Sequence, residues 1–334
     1  MRRALVTGGL GFLGSTIVKE LLERNVVVRV LSARGEKRDN LTAIGAEGHV
    51  EVIEGDVRIP ADCERAVQGQ DTVFHAAAIY ADWAPDPSLL YEVNLKGTFH
   101  VLEAARRADV EKVVYTASIV SLGRPPRGGV ANESTPYEAW ELDFPYSRSK
   151  FHSRELAERF ADWGLDVRIV CPGIVFGPND LRPTPSGQLI LTALTTPGPT
   201  PVFDGGASYV DVRDAARVHV LAAERGKKGE RYIASAHNLD NEELLRTIDR
   251  VTGRARRTLR LPVPVARSIA IGMEEVAKRT GKPPLLSRDF FEYSLKPSFY
   301  DHSKSIRELD ASYRPIDETI RDAVAYFRAS GRLR

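Results

Sequence analysis

The chain has 334 residues, of which 43% are hydrophobic and 28% are charged, and its formal net charge is +2. This composition is typical of a soluble globular protein, and so small a net charge does not indicate binding to nucleic acid or anionic lipid. Two cysteines supply neither a disulfide framework nor the spacing of a metal site. A strand that begins by residue 4 leaves no room for a signal peptide, and no apolar run approaches ~18 residues. We therefore expect a cytoplasmic protein without a membrane span or a metal.

The first predicted element is a strand over residues 4–7, which runs directly into three glycines spaced three apart. Gly8 permits a tight turn, Gly11 lets the backbone approach a bound pyrophosphate, and Gly14 lets the next helix lie close to the sheet. The phosphate would rest on the N–H groups at the start of that helix, predicted over residues 12–24. A glycine-rich turn without a ligand is the alternative, and the flanking strand and helix argue against it.

Strand and helix patterns then alternate along the chain. Further strands are predicted, on β-branched and apolar runs, at residues 26–31, 49–54, 72–75, 112–116 and 167–170. Helices are predicted between them at residues 61–67, 87–107 and 144–163. This alternation indicates an α/β fold with a Rossmann-type, doubly wound parallel sheet.

The sequence changes in character after Cys171, where proline and glycine become frequent and periodicity fades as far as residue 206. Later elements are predicted as a strand at 231–234 and helices at 241–251, 265–280 and 316–328. We expect a dinucleotide-binding domain at residues 1–175, which the strand near 231–234 rejoins. A smaller, mostly helical substrate lobe at residues 176–334 would be interleaved with it.

A tyrosine and a lysine form the second key motif. Tyr146 and Lys150 are four residues apart in the predicted helix 144–163, so their side chains share one face. A free phenol has a pKa near ~10, and a nearby ammonium lowers it towards the working range of an acid–base catalyst. Taken alone the pair could be a solvated helix face, but the glycine loop favours a catalytic role. Lys150 could also reach the ribose hydroxyls of a nucleotide.

Two more polar side chains join this candidate catalytic group. Ser118 lies just beyond the fifth strand, at the edge where such sheets bind ligands, and its hydroxyl could hold a carbonyl oxygen beside the Tyr146 phenol. Thr116 and Ser121 are its rivals. Asn94 lies within a predicted helix, where asparagine is mildly unfavourable. This position indicates a specific hydrogen bond, such as one to a proton-relay water, and a packed or solvent-facing asparagine is the alternative.

Taken together, these motifs resemble those of the extended short-chain dehydrogenases/reductases. The similarity extends from residue 4 to about residue 327. It is carried by TGGLGFLG at 7–14, GDV at 55–57, HAAA at 75–78, the segment 94–98, Ser118, Tyr146 with Lys150, and CPGI at 171–174. Within this family the sequence is most similar to the dihydroflavonol-4-reductase-like group. That group includes ketone and aldehyde reductases, 3β-hydroxysteroid-dehydrogenase-like enzymes and hopanoid-associated epimerase-like proteins.

The resemblance implies a role for each matching residue. Ser118, Tyr146 and Lys150 would form the catalytic triad with Asn94 in support, and Asp56 would bind the adenine amino group. The pyrophosphate and ribose would lie on the alanine segment, and the nicotinamide amide would contact residues 172–175. The implied dinucleotide-binding residues are Gly8, Gly11, Phe12, Leu13, Gly14, Asp56, Val57, Ala76, Ala77, Ala78, Tyr146, Lys150, Pro172, Gly173, Ile174 and Val175.

The end of the second strand bears on the choice of cofactor. NAD selection needs a carboxylate there, whereas NADP selection needs cations. This chain carries Ser32 at that position, and Arg34 follows, so both join the predicted cofactor-binding residues. Arg34 could bind a 2′-phosphate bidentately, which favours NADP(H). NAD(H) stays open because relatives that use NADP usually carry the arginine at the position of Ala33.

The predicted reaction is hydride transfer between the nicotinamide and the carbonyl carbon of a ketone, an aldehyde or the corresponding secondary alcohol. Tyr146 would exchange the proton of the oxygen, Ser118 would polarise it, and Lys150 would tune the phenol. Dehydratases and decarboxylases among the relatives carry acidic residues beside the catalytic hydroxyl. Here Ile119 and Val120 follow Ser118, which argues against that class.

Two other functions remain as alternatives. A sugar-nucleotide epimerase with tightly bound NAD(P) would return the hydride to the same substrate, and it would need cations such as Arg182 and Arg213 for a diphosphate. A redox-sensing binder of the same fold would lack the pair of Tyr146 and Lys150. Because this chain keeps both residues, the binder is the less favoured of the two.

The partners expected are a small carbonyl or alcohol substrate and, by resemblance only, a second copy of the chain. The predicted substrate-binding residues are Tyr80, Ser118, Tyr146 and Phe176. Further candidates in the second lobe, for each of which a structural role is the simpler interpretation, are Ser186, Tyr209 and Tyr293. The apolar stripe of the predicted helix 265–280 could likewise meet a partner subunit or the core.

Overall fold

The structure is a computed structural model that describes residues 1–81, 83, 86–125, 128–138, 144–284 and 286–333. Its strands in chain order are β1 Arg3–Thr7, β2 Val27–Ser32, β3 Glu51–Glu54, β4 Thr72–His75, β5 Lys112–Thr116, β6 Val167–Pro172, β7 Ile174–Phe176, β8 Thr200–Val202, β9 Gly206–Asp211, β10 Arg231–Ala234, β11 His237–Asp240 and β12 Thr258–Arg260. Within the described residues, seven parallel strands form the central sheet in the order β10-β6-β5-β4-β1-β2-β3.

Helices cover both faces of this sheet. In chain order they are α1 Phe12–Leu22, α2 Asp39–Ala43, α3 Pro60–Val67, α4 Ser88–Tyr91, α5 Thr98–Arg107, α6 Pro145–Asp162, α7 Pro185–Thr195, α8 Val212–Arg225, α9 Asn241–Thr252, α10 Val263–Thr280, α11 Arg288–Ser294, α12 Ser303–Leu309 and α13 Ile316–Ala329. Because both faces of the sheet are buried, the central strands carry apolar side chains on both faces. Leu5 and Val73 pack on one side with α3 and α5, and Val6 and Phe74 pack on the other with α1.

The prediction of a Rossmann-type parallel sheet with a mostly helical C-terminal region is confirmed. The seven central strands lie within two residues of their predicted bounds, and β10 lies at 231–234 as expected. The predicted helix 87–107 is different, because it is divided into α4, a π-helical turn at Glu92–Gly97, and α5. Gly97 in that turn packs so closely on Val57 that a Cβ would lie 2.8 Å from its side chain.

Two long helices escaped prediction. The first, α7, lies in the segment rich in proline and glycine, where the Thr184 hydroxyl accepts the Gly187 N–H and Pro185 opens the first turn. The second, α8, begins after Asp211, whose carboxylate accepts the Arg213 N–H. Since α8 packs on α1 and beneath β5 and β6, the chain beyond residue 176 contributes to both lobes.

The second lobe contains a small sheet in the order β11-β9-β7 and a parallel pair of β8 with β12. Helices α7, α9 and α13 close over the small sheet, and α10 packs with α11. Among the described helices, none combines the length and the apolar character that crossing a membrane requires.

Candidate active site

The turn after β1 is shaped by glycines that leave no room for a side chain. Gly8 has a φ of +70°, and a Cβ placed on it would lie 2.8 Å from the Ala77 backbone. A Cβ on Gly14 would overlap the carbonyl oxygen of Gly8. Gly11 precedes α1 and has no side chain with which to cap it, so the first N–H groups of the helix can receive an anion.

A cavity of about 930 Å³ extends from this turn into the second lobe. Of the residues predicted to bind the dinucleotide, all except Arg34 lie on its wall. Arg34 is exposed and lies outside the wall, but its charge helps to lower the pKa of Asp56, which lines the cavity. Its role in cofactor binding stays a prediction.

The end of the cavity beside β2 carries both signs of charge. Ser32, Glu36 and Arg58 all line it. The Arg58 guanidinium donates to both carboxylate oxygens of Asp56, at 2.6 to 3.0 Å, and these hydrogen bonds lower the pKa of the Asp56 carboxyl. Glu36 lies 3.5 Å from the guanidinium of Arg182, which comes from the second lobe. A dinucleotide would therefore meet arginines that already have carboxylate partners.

Lys150 is buried at the end of β5. Its side chain reaches from α6, and the Nζ atom donates a 2.8 Å hydrogen bond to the Thr116 carbonyl oxygen. Only 3% of Lys150 is exposed, and the loss of water lowers its pKa to about 8. The Nζ atom also lies 5.4 Å from the centre of the Tyr115 ring, a contact that favours the cation.

Tyr146 precedes Lys150 by one turn of α6 and lines the same cavity. The residue is 8% exposed, and its ring lies 5.1 Å from that of Tyr80 and 6.0 Å from that of Phe144. Pro145 occupies the first turn of α6, which fixes the start of the helix. The aromatic neighbours thus hold the phenol against the cavity.

Three hydroxyl groups lie near the end of β5, and they differ in the acceptor, if any, to which each donates its hydrogen. Ser121 donates its hydrogen to the Ser118 carbonyl oxygen over 2.6 Å. Thr116 lies 3.0 Å from Nε2 of His219. The Ser118 hydroxyl accepts a long hydrogen bond, 3.4 Å, from the Val120 N–H. Among the described residues no acceptor takes the Ser118 hydrogen, so this hydroxyl can donate into the cavity that it lines.

The direction of the Thr116 hydrogen bond follows from the imidazole. His219 Nδ1 lies 2.7 Å from the Ala215 carbonyl oxygen, which only accepts, so Nδ1 carries the proton. Burial lowers the pKa of His219 to about 4, so the ring is neutral at neutral pH and Nε2 is an acceptor. The Thr116 hydrogen is therefore directed to His219 and away from a ligand.

Asn94 lies in the π-helical turn and not on the cavity wall. Its side-chain oxygen accepts the Ile79 N–H over 2.8 Å, and its nitrogen donates to the Ile79 carbonyl and the Ser149 hydroxyl, each over 3.0 Å. These bonds join the segment after β4 to α6. Asn94 is therefore packed and not solvent-facing, and its supporting role in catalysis stays a prediction.

A buried chain of hydrogen bonds surrounds His75 and was not predicted from the sequence. The Ala77 N–H donates to the Thr7 hydroxyl at 3.2 Å, and that hydroxyl lies 2.7 Å from His75 Nδ1. On the other side, Nε2 lies 3.0 Å from the Thr98 hydroxyl, which donates to the Asn94 carbonyl oxygen. Burial lowers the pKa of His75 to about 3, so a neutral ring links the glycine turn to the π-helical turn.

A family model described as the NAD dependent epimerase/dehydratase family matches residues 4–234. The chain belongs to this family. The putative dihydroflavonol 4-reductase of Synechocystis sp. (strain ATCC 27184 / PCC 6803 / Kazusa) is 33% identical to it, over 98% of this chain and 94% of that protein. The resemblance to the extended short-chain dehydrogenases/reductases and their dihydroflavonol-4-reductase-like group is thereby confirmed.

Solved structures agree with this assignment. The crystal structure of a protein called gox2253 matches all of both chains with a TM-score of 0.87 and 33% identity. A double mutant of the dTDP-glucose 4,6-dehydratase DesIV from Streptomyces venezuelae, with NAD and DAU bound, matches with a TM-score of 0.76 and 26% identity. That match covers 98% of this chain and 97% of the dehydratase. The chain therefore belongs to a nicotinamide-dependent enzyme family. The relatives named here include a putative reductase and a dehydratase.

The cavity fits the dinucleotide that an epimerase/dehydratase family member requires. The glycine turn and the uncapped N-terminus of α1 line the same cavity, where the helix N–H groups could receive the pyrophosphate. Gly173 lines it at the other end, and a Cβ there would lie 2.7 Å from the Ser235 hydroxyl oxygen. Side chains at Gly8 and Gly173 would thus clash with neighbouring protein, so both glycines allow the close packing that shapes the cavity.

The two predicted substrate residues that are not catalytic have different positions. Tyr80 lines the cavity and is 37% exposed at its mouth. Phe176 is 1% exposed, and within the described residues it lies one layer behind the wall, with its ring stacked 5.2 Å from that of Tyr209. The prediction for Phe176 is corrected accordingly: β7 turns this side chain into the core of the second lobe.

The substrate side of the cavity is built mainly by residues that the sequence analysis missed. Apolar side chains from β8, α10, α11 and the loops beside them line it: Phe203, Leu261, Ala266, Ile269, Met273 and Phe290. The predicted helical stripe of α10 faces this space through Ile269 and Met273, which are also partly exposed. In the sequence, this stripe is the one signal for the apolar wall, and it predicts packing against either a partner subunit or the core.

Proposed function

We propose that the protein is an NAD(P)H-dependent oxidoreductase that interconverts a ketone or aldehyde with the corresponding secondary alcohol. The observation that carries this proposal is that Tyr146, Lys150 and Ser118 line the same cavity as the glycine turn. The dinucleotide, when bound, would supply or accept the hydride. The proposed domain division also stands on this arrangement, with residues 1–175 holding the dinucleotide and much of the remainder holding the substrate.

In this proposal Tyr146 gives its phenol proton to the carbonyl oxygen during reduction and takes it back during oxidation. The Lys150 ammonium, one helical turn away, favours the phenolate that forms when the proton leaves. Ser118 donates its free hydrogen to the same carbonyl oxygen and so stabilises the negative charge that develops there. The Thr116 carbonyl fixes the ammonium in place.

The charges around the cavity support the reductase over the sugar-nucleotide epimerase. Among the described residues on the cavity wall, the cations are Arg58 and Lys150. The two arginines that an epimerase could use for a diphosphate do not line the wall and already have carboxylate partners. Arg182 lies beside Glu36 at the β2 end of the cavity, and Arg213 donates to Asp211 and contacts Asp322 at 2.7 Å.

NADP(H) remains the proposed cofactor, with NAD(H) as the alternative. Ser32 supplies no carboxylate at the end of β2, and Arg58 and Arg182 bring positive charge to that end. Glu36 is the opposing feature, because its carboxylate lines the cavity near Ser32. A homodimer and a cytoplasmic location are proposed from the family resemblance and from the sequence alone.

The experiment is a screen of ketones, aldehydes and secondary alcohols in which the absorbance of NADPH and NADH is followed in parallel. Reduction of an apolar ketone with stoichiometric loss of the reduced dinucleotide is the expected result. Conversion of UDP- or dTDP-sugars without net change in dinucleotide absorbance would instead establish the epimerase. Failure to bind either dinucleotide in calorimetry would refute the proposal.

A further inference from the structure

Tyr209 is one of the polar residues of the second lobe that line the cavity and that the proposed mechanism does not use. It lies in β9, its ring stacks on Phe176 at an interplanar angle of 13°, and it packs with Ile190, Leu194 and Leu244. Only 2% of the residue is exposed. It nevertheless lines the cavity, so its small accessible surface faces the space where a substrate would lie.

The hydroxyl group of Tyr209 differs from those of Tyr115, Tyr232 and Tyr313. Tyr115 donates to Ser153 over 2.6 Å, Tyr232 accepts the Lys227 N–H over 2.9 Å, and the Tyr313 hydroxyl has partners as well. Within the described residues the Tyr209 hydroxyl has no hydrogen-bond partner, yet its oxygen is not sealed in the core. A phenol buried in this way ordinarily finds a partner, because leaving it unpaired costs the free energy of its lost hydration.

Burial and the nearby Asp240 raise the pKa of the Tyr209 phenol far above its ordinary value, so the group stays protonated. It is therefore a permanent hydrogen-bond donor on the wall of a cavity whose second-lobe side is lined by many apolar side chains, Phe203 and Leu261 among them. Its packing partners belong to α7 and α9 of the second lobe and not to the central sheet. A substrate is thus the better candidate for its partner than the dinucleotide.

We propose that Tyr209 is a substrate-binding residue that donates a hydrogen bond to a second oxygen of the substrate, away from the reacting carbonyl. The inference rests on the proposed function and narrows the class of substrate. The substrate class is an extended apolar carbonyl compound with one additional acceptor, such as a hydroxyl, ether or second carbonyl oxygen. A site built around a buried donor discriminates strongly against analogues that leave this donor unpaired.

The test compares wild type with Tyr209→Phe, which keeps the ring and its stacking on Phe176. The probes are 1-decalone and a panel of its hydroxylated derivatives that covers the ring positions, reduced with the preferred dinucleotide. We expect the best hydroxylated ketone to exceed 1-decalone in kcat/KM for the wild type. This ratio should fall by roughly tenfold in the variant. An unchanged ratio across the panel would overturn the proposal.

Tyr232→Phe is the matched control, because it removes a phenol hydroxyl that is buried elsewhere and does not line the cavity. It should keep the substrate ratio of the wild type. The melting temperature of Tyr209→Phe should equal that of the wild type, since no internal hydrogen bond is lost; a marked fall would show an internal partner and contradict the proposal. Weaker dinucleotide binding in the variant would assign the hydroxyl to the cofactor and would also overturn it.

Failure of the proposed function has a different signature. A wild-type protein that reduces none of the ketones with either dinucleotide contradicts the oxidoreductase itself. In that case, calorimetric binding of the hydroxylated decalones to the dinucleotide-loaded wild type and Tyr209→Phe still tests the hydrogen bond. Equal affinities for the two proteins would then refute the role of Tyr209.

Discussion

Lys150 and Thr116 are joined by a 2.8 Å hydrogen bond from a buried ammonium to a main-chain carbonyl, while the Thr116 side chain points its hydrogen at His219. One residue of β5 therefore holds the cation with its backbone and withdraws its own hydroxyl from the cavity. Of the three described hydroxyls compared near the end of β5, Ser118 is thus the one with a free hydrogen, and this leads to the first predictions.

Tyr146→Phe should lower kcat for carbonyl reduction by about 10² to 10⁴, because the proposed acid is lost. The ring and its contacts with Tyr80 remain, so the dissociation constant of the dinucleotide should change little. Steady-state kinetics and calorimetry measure the two quantities. Tyr232→Phe serves as the control for loss of a distant phenol. Substantial activity in Tyr146→Phe would show that another group transfers the proton.

Ser118→Ala should lower kcat by about 10² or more, as the removal of an oxyanion donor does in other enzymes. Ser121→Ala is the matched control, since its hydroxyl hydrogen is used in the bond to the Ser118 carbonyl. We expect the control to lose far less activity than Ser118→Ala. Equal losses in the two variants would mean that the turn at residues 118–121, and not the Ser118 hydroxyl, is what matters.

The rate should fall as the pH rises above about 8. Burial lowers the pKa of Lys150 to about 8, so the side chain is charged below that pH and neutral above it. The neutral amine no longer favours the Tyr146 phenolate, and log kcat/KM should decline with a slope of about −1. A pH–rate profile of the wild type checks this expectation.

The origin of that alkaline decline can be verified with two lysine variants. Lys150→Met should lower the rate at all pH values and remove the decline near pH 8, because the titrating group is gone. Lys96→Met removes an exposed lysine that is paired with Glu92, and it should keep the wild-type profile. A decline that persists in Lys150→Met would identify a different titrating group.

Gly8→Ala should destabilise the fold more than Gly35→Ala. Both glycines have a φ of +70°, so both substitutions carry the cost of a left-handed backbone, about 1–2 kcal/mol. Only at Gly8 would the new Cβ also lie 2.8 Å from the Ala77 backbone, whereas Gly35 has open space around it. Chemical denaturation gives the two free energies of unfolding, and their difference measures the steric contribution. Equal values would show that the Ala77 contact relaxes freely.

Glu36→Gln should raise kcat/KM for NADPH relative to NADH by roughly tenfold, because it removes a carboxylate that faces the adenosine end of the cavity. Arg34→Ala should leave this ratio unchanged, since Arg34 lies outside the cavity wall. Parallel kinetics with the two dinucleotides measure the ratio. A loss of NADPH preference in Arg34→Ala would restore the original assignment of that arginine.

The features that could be predicted depend on local spacing. The glycine turn and the pair of Tyr146 with Lys150 lie within single elements, so their geometry follows from strand and helix periods. The central strands were equally accessible, because burial on both faces produces continuous apolar runs. These patterns need no knowledge of distant residues.

The features that could not be predicted depend on side-chain direction or on distant partners. Phe176 is the last residue of the short strand β7. Only the pairing of β7 with β9 shows that its side chain faces Tyr209 and not the cavity. Thr116 and His219 are 103 residues apart in sequence, so nothing local links them. The helix α8 was missed although Asp211 caps it, because its own sequence gave no sign that it would cover the central sheet.

The return of β10 to the edge of the central sheet has a consequence for biogenesis. Its partner β6 ends at Pro172, and the 58 residues between them, 173–230, include α7, β9 and α8 and must be made before β10 can pair with β6. On the ribosome, β6 would therefore present an open edge until residue 234 emerges, and such edges invite association between nascent chains. Fragments truncated anywhere between these two strands should be recovered as aggregates, whereas supplying the missing segment in trans would be the way to rescue them.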